Sequence, residues 1–132
     1  MLQAKDLQIG DWYAFRGHPY QCTASDIASL AECEKQGAPT DISEIPITEE
    51  ILEKNFPTKD SEADYVKERI NVGYSVNWIE LHDFNGSFYV ILDMPYKLNS
   101  ARIEHLHKGV FNYVHEIQHL FRLCGIEHEI KL

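Results

Sequence analysis

The stretch NYVHEIQHLFRLCG, Asn112 to Gly125, decides the fold class. Asn112 is a competent N-cap and Gly125 suits the position just past a helix end, so the spacing predicts one helix between them. At 100° per residue, Tyr113, Ile117, Leu120 and Cys124 share a face, flanked by Val114 and Phe121. His115, Gln118, His119 and Arg122 fall on the opposite face, which reads as polar and solvated. Beyond Gly125, Glu127 to Leu132 reads as a last strand returning to a sheet edge.

Upstream of this helix the pattern switches to strands. Asp83-Phe84-Asn85-Gly86 is a hairpin turn, because Asn-Gly readily takes positive φ. VGYSVNWIELHD precedes it and Ser87 to Met94 answers it as the partner strand, with Phe88, Val90 and Leu92 alternating against Tyr89, Ile91 and Asp93. Ala101 to His107 reads as a further strand. Residues 57–71 are polar, with a weak helical tendency from Ser61 to Glu68. In PITEEILEKNF, Thr48 is an N-cap, Glu49 and Glu50 suit the positive end of the helix dipole, and the helix ends near Asn55.

The N-terminal part reads as closely spaced strands. Gly10-Asp11 makes a turn, Trp12 and Ala14 open an aromatic strand, and Arg16-Gly17-His18-Pro19 is a tight connection. Tyr20 to Ser25 and Ile27 to Leu30 suggest two more short strands, and residues 32–45 a loop. The expected architecture is therefore α+β. It has a small, strongly bent antiparallel sheet or SH3-like barrel at the N-terminus, a central hairpin, and an amphipathic C-terminal helix packed on the sheet. Residues 1–132 are the size of a single domain.

Composition narrows the function classes. The chain carries a formal charge of −9, and eleven acidic residues against three lysines between Asp26 and Asp64 account for −8 of it. That balance argues against nucleic-acid phosphates as a partner. It suits either a solvated acidic face or a basic protein partner, with Glu49, Glu50 and Glu53 as the candidate surface. No apolar run is long enough for a membrane span and no signal peptide is evident. Cys22, Cys33 and Cys124 are odd in number and widely spaced, which points to free thiols in a reducing, cytoplasmic compartment.

One motif invites an enzymatic reading. His115-Glu116-Ile117-Gln118-His119 is an HExxH string, in which two histidines one helical turn apart share zinc and the glutamate activates a bound water. The position six residues after His119, where a third histidine would stand, is Gly125. His105 and His107, on one face of a strand, are the alternative source of ligands. A zinc-dependent hydrolase with ligands His115, His119, His105 and His107 and Glu116 as base is thus one rival. An acidic decoy of nucleic acid is another. The leading expectation is a non-enzymatic accessory protein with no cofactor, acting through protein contacts.

The IGDW opening (Ile9 to Trp12), PITEEILEKNF (Pro46 to Phe56) and YVHEIQHLFRLCGIEHEI (Tyr113 to Ile130) together resemble a family of small uncharacterised proteins of Bacteroidetes bacteria, their prophages and phages. Its pattern looks like IG(N/D)-V at the start, PI(P)LTEE-L in the middle and YVH(E/Q)LQ in the final helix. The chain departs from it in lacking Gly after Asn55 and a second Pro after Ile47. The resemblance implies a phage or mobile-element context in a bacterial cytoplasm. It also implies that His115 and Gln118 are the family-like positions and that HExxH is incidental, since the place of His119 is commonly Asn.

Overall fold

In the computed structural model, the described residues are 1–56, 58–60, 73–76, 79–84, 87–93, 102–104 and 111–132. The chain divides into two compact units, Met1–Pro46 with Tyr113–Ile130, and Ile47–Asn112 with Lys131–Leu132. Among the described residues no helix is long and apolar enough to cross a membrane.

The first unit holds a short 3-10 helix (Ala4–Asp6), β1 (Trp12–Phe15), β2 (His18–Gln21), α1 (Ala24–Lys35), β3 (Ile42–Ser43) and α3 (Val114–Leu123). β1 is the central strand of an antiparallel sheet in the order β2-β1-β3. Of the two expected forms of the N-terminal sheet, the small antiparallel one is present. The β1–β2 connection is tighter than expected: Phe15 pairs with His18, leaving Arg16 and Gly17 as a two-residue turn. Both have positive φ, 50° and 80°, the combination whose twist matches the strands it joins. His18 and Pro19 lie inside β2, where an edge strand tolerates the proline's missing N–H.

Two sequence expectations fail in this unit. Residues 24–30 are helical, not a continuation of one strand and the start of another. Thr23 and Asp26 form a reciprocal capping box: Asp26 N–H donates to Thr23 Oγ1 (3.1 Å) and Thr23 N–H to Asp26 Oδ2 (2.9 Å). The apolar run Ile27 to Leu30 therefore supplies one helical stripe, and Ile27, Leu30 and Ile42 pack against buried Leu2, Leu7, Tyr13 and Cys22. Nor do residues 126–132 form a strand. α3 ends in a Schellman motif at Gly125, with Ile126 N–H reaching Phe121 C=O at 2.8 Å and Gly125 N–H reaching Arg122 C=O at 3.2 Å. The apolar face of α3 is buried as its periodicity predicts, with Val114, Ile117, Leu120 and Phe121 all inside.

The second unit contains α2 (Glu49–Asn55) and an antiparallel meander, β4 (Thr58–Asp60), β5 (Gly73–Val76), β6 (Ile79–Phe84), β7 (Ser87–Asp93) and β8 (Arg102–Glu104), in sequence order. The Asn-Gly hairpin is there, with Phe84 opposite Ser87. VGYSVNWIELHD is not one strand but two, Gly73–Val76 pairing antiparallel with the start of Ile79–Phe84, Val76 opposite Ile79. Residues 58–60, in the stretch expected to be polar, form the first strand of this meander. The helical tendency at 61–68 and the ends of the expected 101–107 strand lie outside the described residues. α2 is capped as expected, Thr48 Oγ1 accepting from Ile51 N–H at 3.2 Å. Its buried Asn55 replaces the missing last strand: the carboxamide accepts from Lys131 N–H and donates to Lys131 C=O, both at 2.6 Å.

Candidate functional site

The polar constellation of the first unit forms around Asp11. A tight turn from Gln8 brings Asp11 N–H to Gln8 C=O (3.1 Å), and Gly10 takes φ 92° to make the bend. The positive φ favours glycine at position 10, and a side chain there would also stand 3.2 Å from the Arg122 guanidinium, which would have to shift by a few tenths of an ångström. Cys22, the residue after β2, then locks the turn, with Gly10 N–H donating to Cys22 C=O and Cys22 N–H to Asp11 C=O, both at 2.7 Å. The result is a carboxylate with no exposure to solvent.

Three donors meet that carboxylate. Gln8 N–H donates to Oδ2 at 2.7 Å, His119 Nε2 lies 2.5 Å from Oδ2, and Arg122 Nη1 donates to Oδ1 at 2.5 Å. Burial alone pushes the Asp11 carboxyl up. The hydrogen bonds from His119, Arg122 and Gln8 outweigh it, and the group titrates below the ordinary carboxylate value. Gln118 closes the arrangement by reading the backbone on either side of Asp11. Its Oε1 accepts from Trp12 N–H at 2.8 Å and its Nε2 donates to Gly10 C=O at 3.0 Å. One helical face, at positions 118, 119 and 122, thus grips a single turn of the N-terminal segment.

This overturns the reading of that face as solvated. His115 and Gln118 are each only 7% exposed. His115 stacks beside Tyr113 (ring centroids 6.1 Å) and meets His119 edge-on (5.6 Å). Burial, with the nearby His119, lowers the His115 pKa and favours the neutral ring. Its Nδ1 is buried with no hydrogen-bond partner among the described residues.

The HExxH residues line one open cleft of about 490 Å³, together with Lys5, Gln8 and Glu44. Glu116 caps its own helix, Oε1 accepting from Tyr113 N–H at 3.0 Å. Among the described residues no group of three His, Cys, Asp or Glu is arranged to hold a metal ion. His105 and His107 lie outside the described residues. Of the expected partner surface, Glu49, Glu50 and Glu53 are exposed on α2. The three cysteines are free, and burial pushes the Cys22 thiol up to about 11, which leaves it a poor nucleophile.

A second recess was not anticipated from the sequence. The sheet face carrying Tyr13, Phe15, Tyr20 and Ile42 forms, with α1 and residues 39–41, a groove of about 550 Å³. Phe15 is 36% and Tyr20 48% exposed there. The signal for it is the alternation of Tyr13 and Phe15, which Tyr20 joins from the neighbouring strand; it makes a groove only because residues 24–35 are helical. No protein-family model, curated protein or solved structure matches the chain.

Proposed function

We propose that this chain is a non-enzymatic accessory protein that acts through contacts with another protein, in the phage or mobile-element setting that its three motifs suggest. The observation that carries the reading is the commitment of the HExxH helix to its own fold. His119 Nε2 and Arg122 are engaged by the buried Asp11, Gln118 clasps the backbone beside it, and Glu116 caps the helix. Groups so engaged supply structural specificity and are poor candidates for turnover.

The zinc hydrolase remains the second reading, on one specific observation. A metal-ligating histidine commonly has its other ring nitrogen held by a carboxylate, and Asp11 stands in that relation to His119, beside a cleft that also takes in His115 and Glu116. The discriminating experiment is elemental mass spectrometry on untagged protein purified without a nickel column, beside cross-linking in the bacterial host. The accessory reading expects metal well below one equivalent and a cross-linked protein partner. Near-stoichiometric zinc lost in His115→Ala, with hydrolytic turnover, would replace it by the hydrolase.

The acidic decoy would use Glu49, Glu50 and Glu53 and bind a basic enzyme with steep salt dependence. Carboxylates on one short helix are its support.

A further inference from the structure

The groove between the first sheet and α1 combines aromatic rings with carboxylates. Its floor is aromatic: Tyr13 and Tyr20 lie 6.2 Å apart centroid to centroid, and Phe15 meets Tyr20 edge-on at 6.4 Å. Its charged lining is Asp26, from the first turn of α1, and Asp41, which pairs with Arg16. The exposed β2 edge runs along it, all four residues of that strand being open to solvent. Leu30, Ile42 and Pro39 add apolar walls.

Aromatic faces carry negative charge density, so a cation is drawn to them, and more strongly where the site is partly desolvated. The chain already demonstrates this with its own cation. Arg16 Cζ sits 5.1 Å from the Phe15 ring centroid while its Nε donates to Asp41 Oδ2 at 3.3 Å. Tyr20 and Asp26 line the same groove, and among the described residues no cation pairs with either. Asp26 Oδ2 accepts from Thr23 N–H, and Tyr20 is among the most exposed large side chains of the unit.

We infer that this groove docks a basic peptide segment of a partner protein, a lysine or arginine side chain lying over Tyr20 towards Asp26 and an aliphatic neighbour against Leu30 and Ile42. The inference rests on the protein-contact reading above and names the chemistry of the partner. Charge complementarity selects this occupant: the stretch from Asp26 to Asp64 carries most of the chain's negative charge, and Asp26 brings part of it to the groove, where Arg16 already offsets Asp41. A basic segment gains long-range attraction as well as local contact.

The test is selection of a random 12-residue peptide display library on the full chain, followed by titration of the enriched synthetic peptides. Enriched peptides should contain lysine or arginine beside an aliphatic residue. Tyr20→Ala should weaken them about 10-fold and Asp26→Asn roughly 3- to 10-fold, with circular dichroism confirming that both variants stay folded. Binding should also fall as salt rises. Enriched peptides that are acidic or uncharged overturn the inference, as does a failure to enrich any. Basic peptides that respond to Glu50→Gln and Glu53→Gln but not to Tyr20→Ala sink the groove and leave the protein-contact reading standing. Self-association abolished by Tyr20→Ala would assign the groove to a second copy instead. Absence of any partner in the host cross-linking, with peptides still enriched at the groove, would fault the broader reading alone.

Discussion

The polar side of α3 and the aromatic side of β1–β2 belong to one unit and behave in opposite ways. The first is made of His, Gln, His and Arg, yet its His115 and Gln118 are almost wholly buried. The second presents Phe15 and Tyr20, which stay substantially exposed. Hydrophobicity alone places neither side, because burial is decided by what a residue can pair with. Gln118 can enter the interior since both ends of its carboxamide meet backbone partners, and Asp11 since three donors meet it. Tyr20 has no such obligation and lies on an edge strand.

That contrast can be broken most forcefully at Asp11. Asp11→Ala removes the carboxylate that His119 and Arg122 share, leaving Arg122 only the Gln8 carboxamide, and removing a partner from a buried ionic cluster costs about 3–5 kcal/mol. Because both side chains are about a third exposed and regain water, the expected loss is about 2–4 kcal/mol, read from the urea midpoint. Gln118→Leu is expected to cost about 2 kcal/mol by stranding Trp12 N–H and Gly10 C=O, each otherwise paired. If either variant were as stable as the parent, the polar face of α3 would be decoration.

Acid offers a finer probe of the same face. The folded Asp11 pKa is lowered, so its contribution is present above the unfolded carboxylate value of about 3.9 and is lost as pH falls through the lower folded value. The folded His115 pKa is also lowered. The unfolded chain then binds more protons, and stability declines as pH drops below about 6.5 towards the folded value. His115→Leu should remove that second slope. At pH 8 it should change stability by under about 1 kcal/mol, since the buried Nδ1 has no partner to lose among the described residues. The smallest effect belongs to the other region: Tyr20→Ala should shift stability by about 0.5 kcal/mol or less, its exposed ring being an interaction surface more than a core residue. A large destabilisation there would make the ring structural.

The legible parts of the fold were those written in local chemistry. The Asn-Gly hairpin, the Thr48 cap of α2 and the Gly125 stop of α3 each depend on a few neighbouring residues, and each is where the sequence places it. α1 is equally local, but its signal is the reciprocal Thr23–Asp26 cap and its apolar residues are few, so the run Ile27 to Leu30 resembles a strand. The candidate site was legible only as fragments. IGDW and HEIQHLFR stand out separately, but their meeting joins residues more than a hundred positions apart, and no periodicity reports such a contact. The missing final strand has the same explanation. Asn55 satisfies Lys131 through its side chain, so the segment is held without a ladder.

The decisive measurement is a double-mutant cycle between Asp11→Ala and His119→Ala, by urea unfolding at pH 7 in the presence of a metal chelator. The account predicts that the two losses are not additive, with a coupling energy of about 1–3 kcal/mol that the chelator leaves intact. Additive losses, or a coupling that vanishes when metal is removed, would contradict it and return the HExxH helix to chemistry.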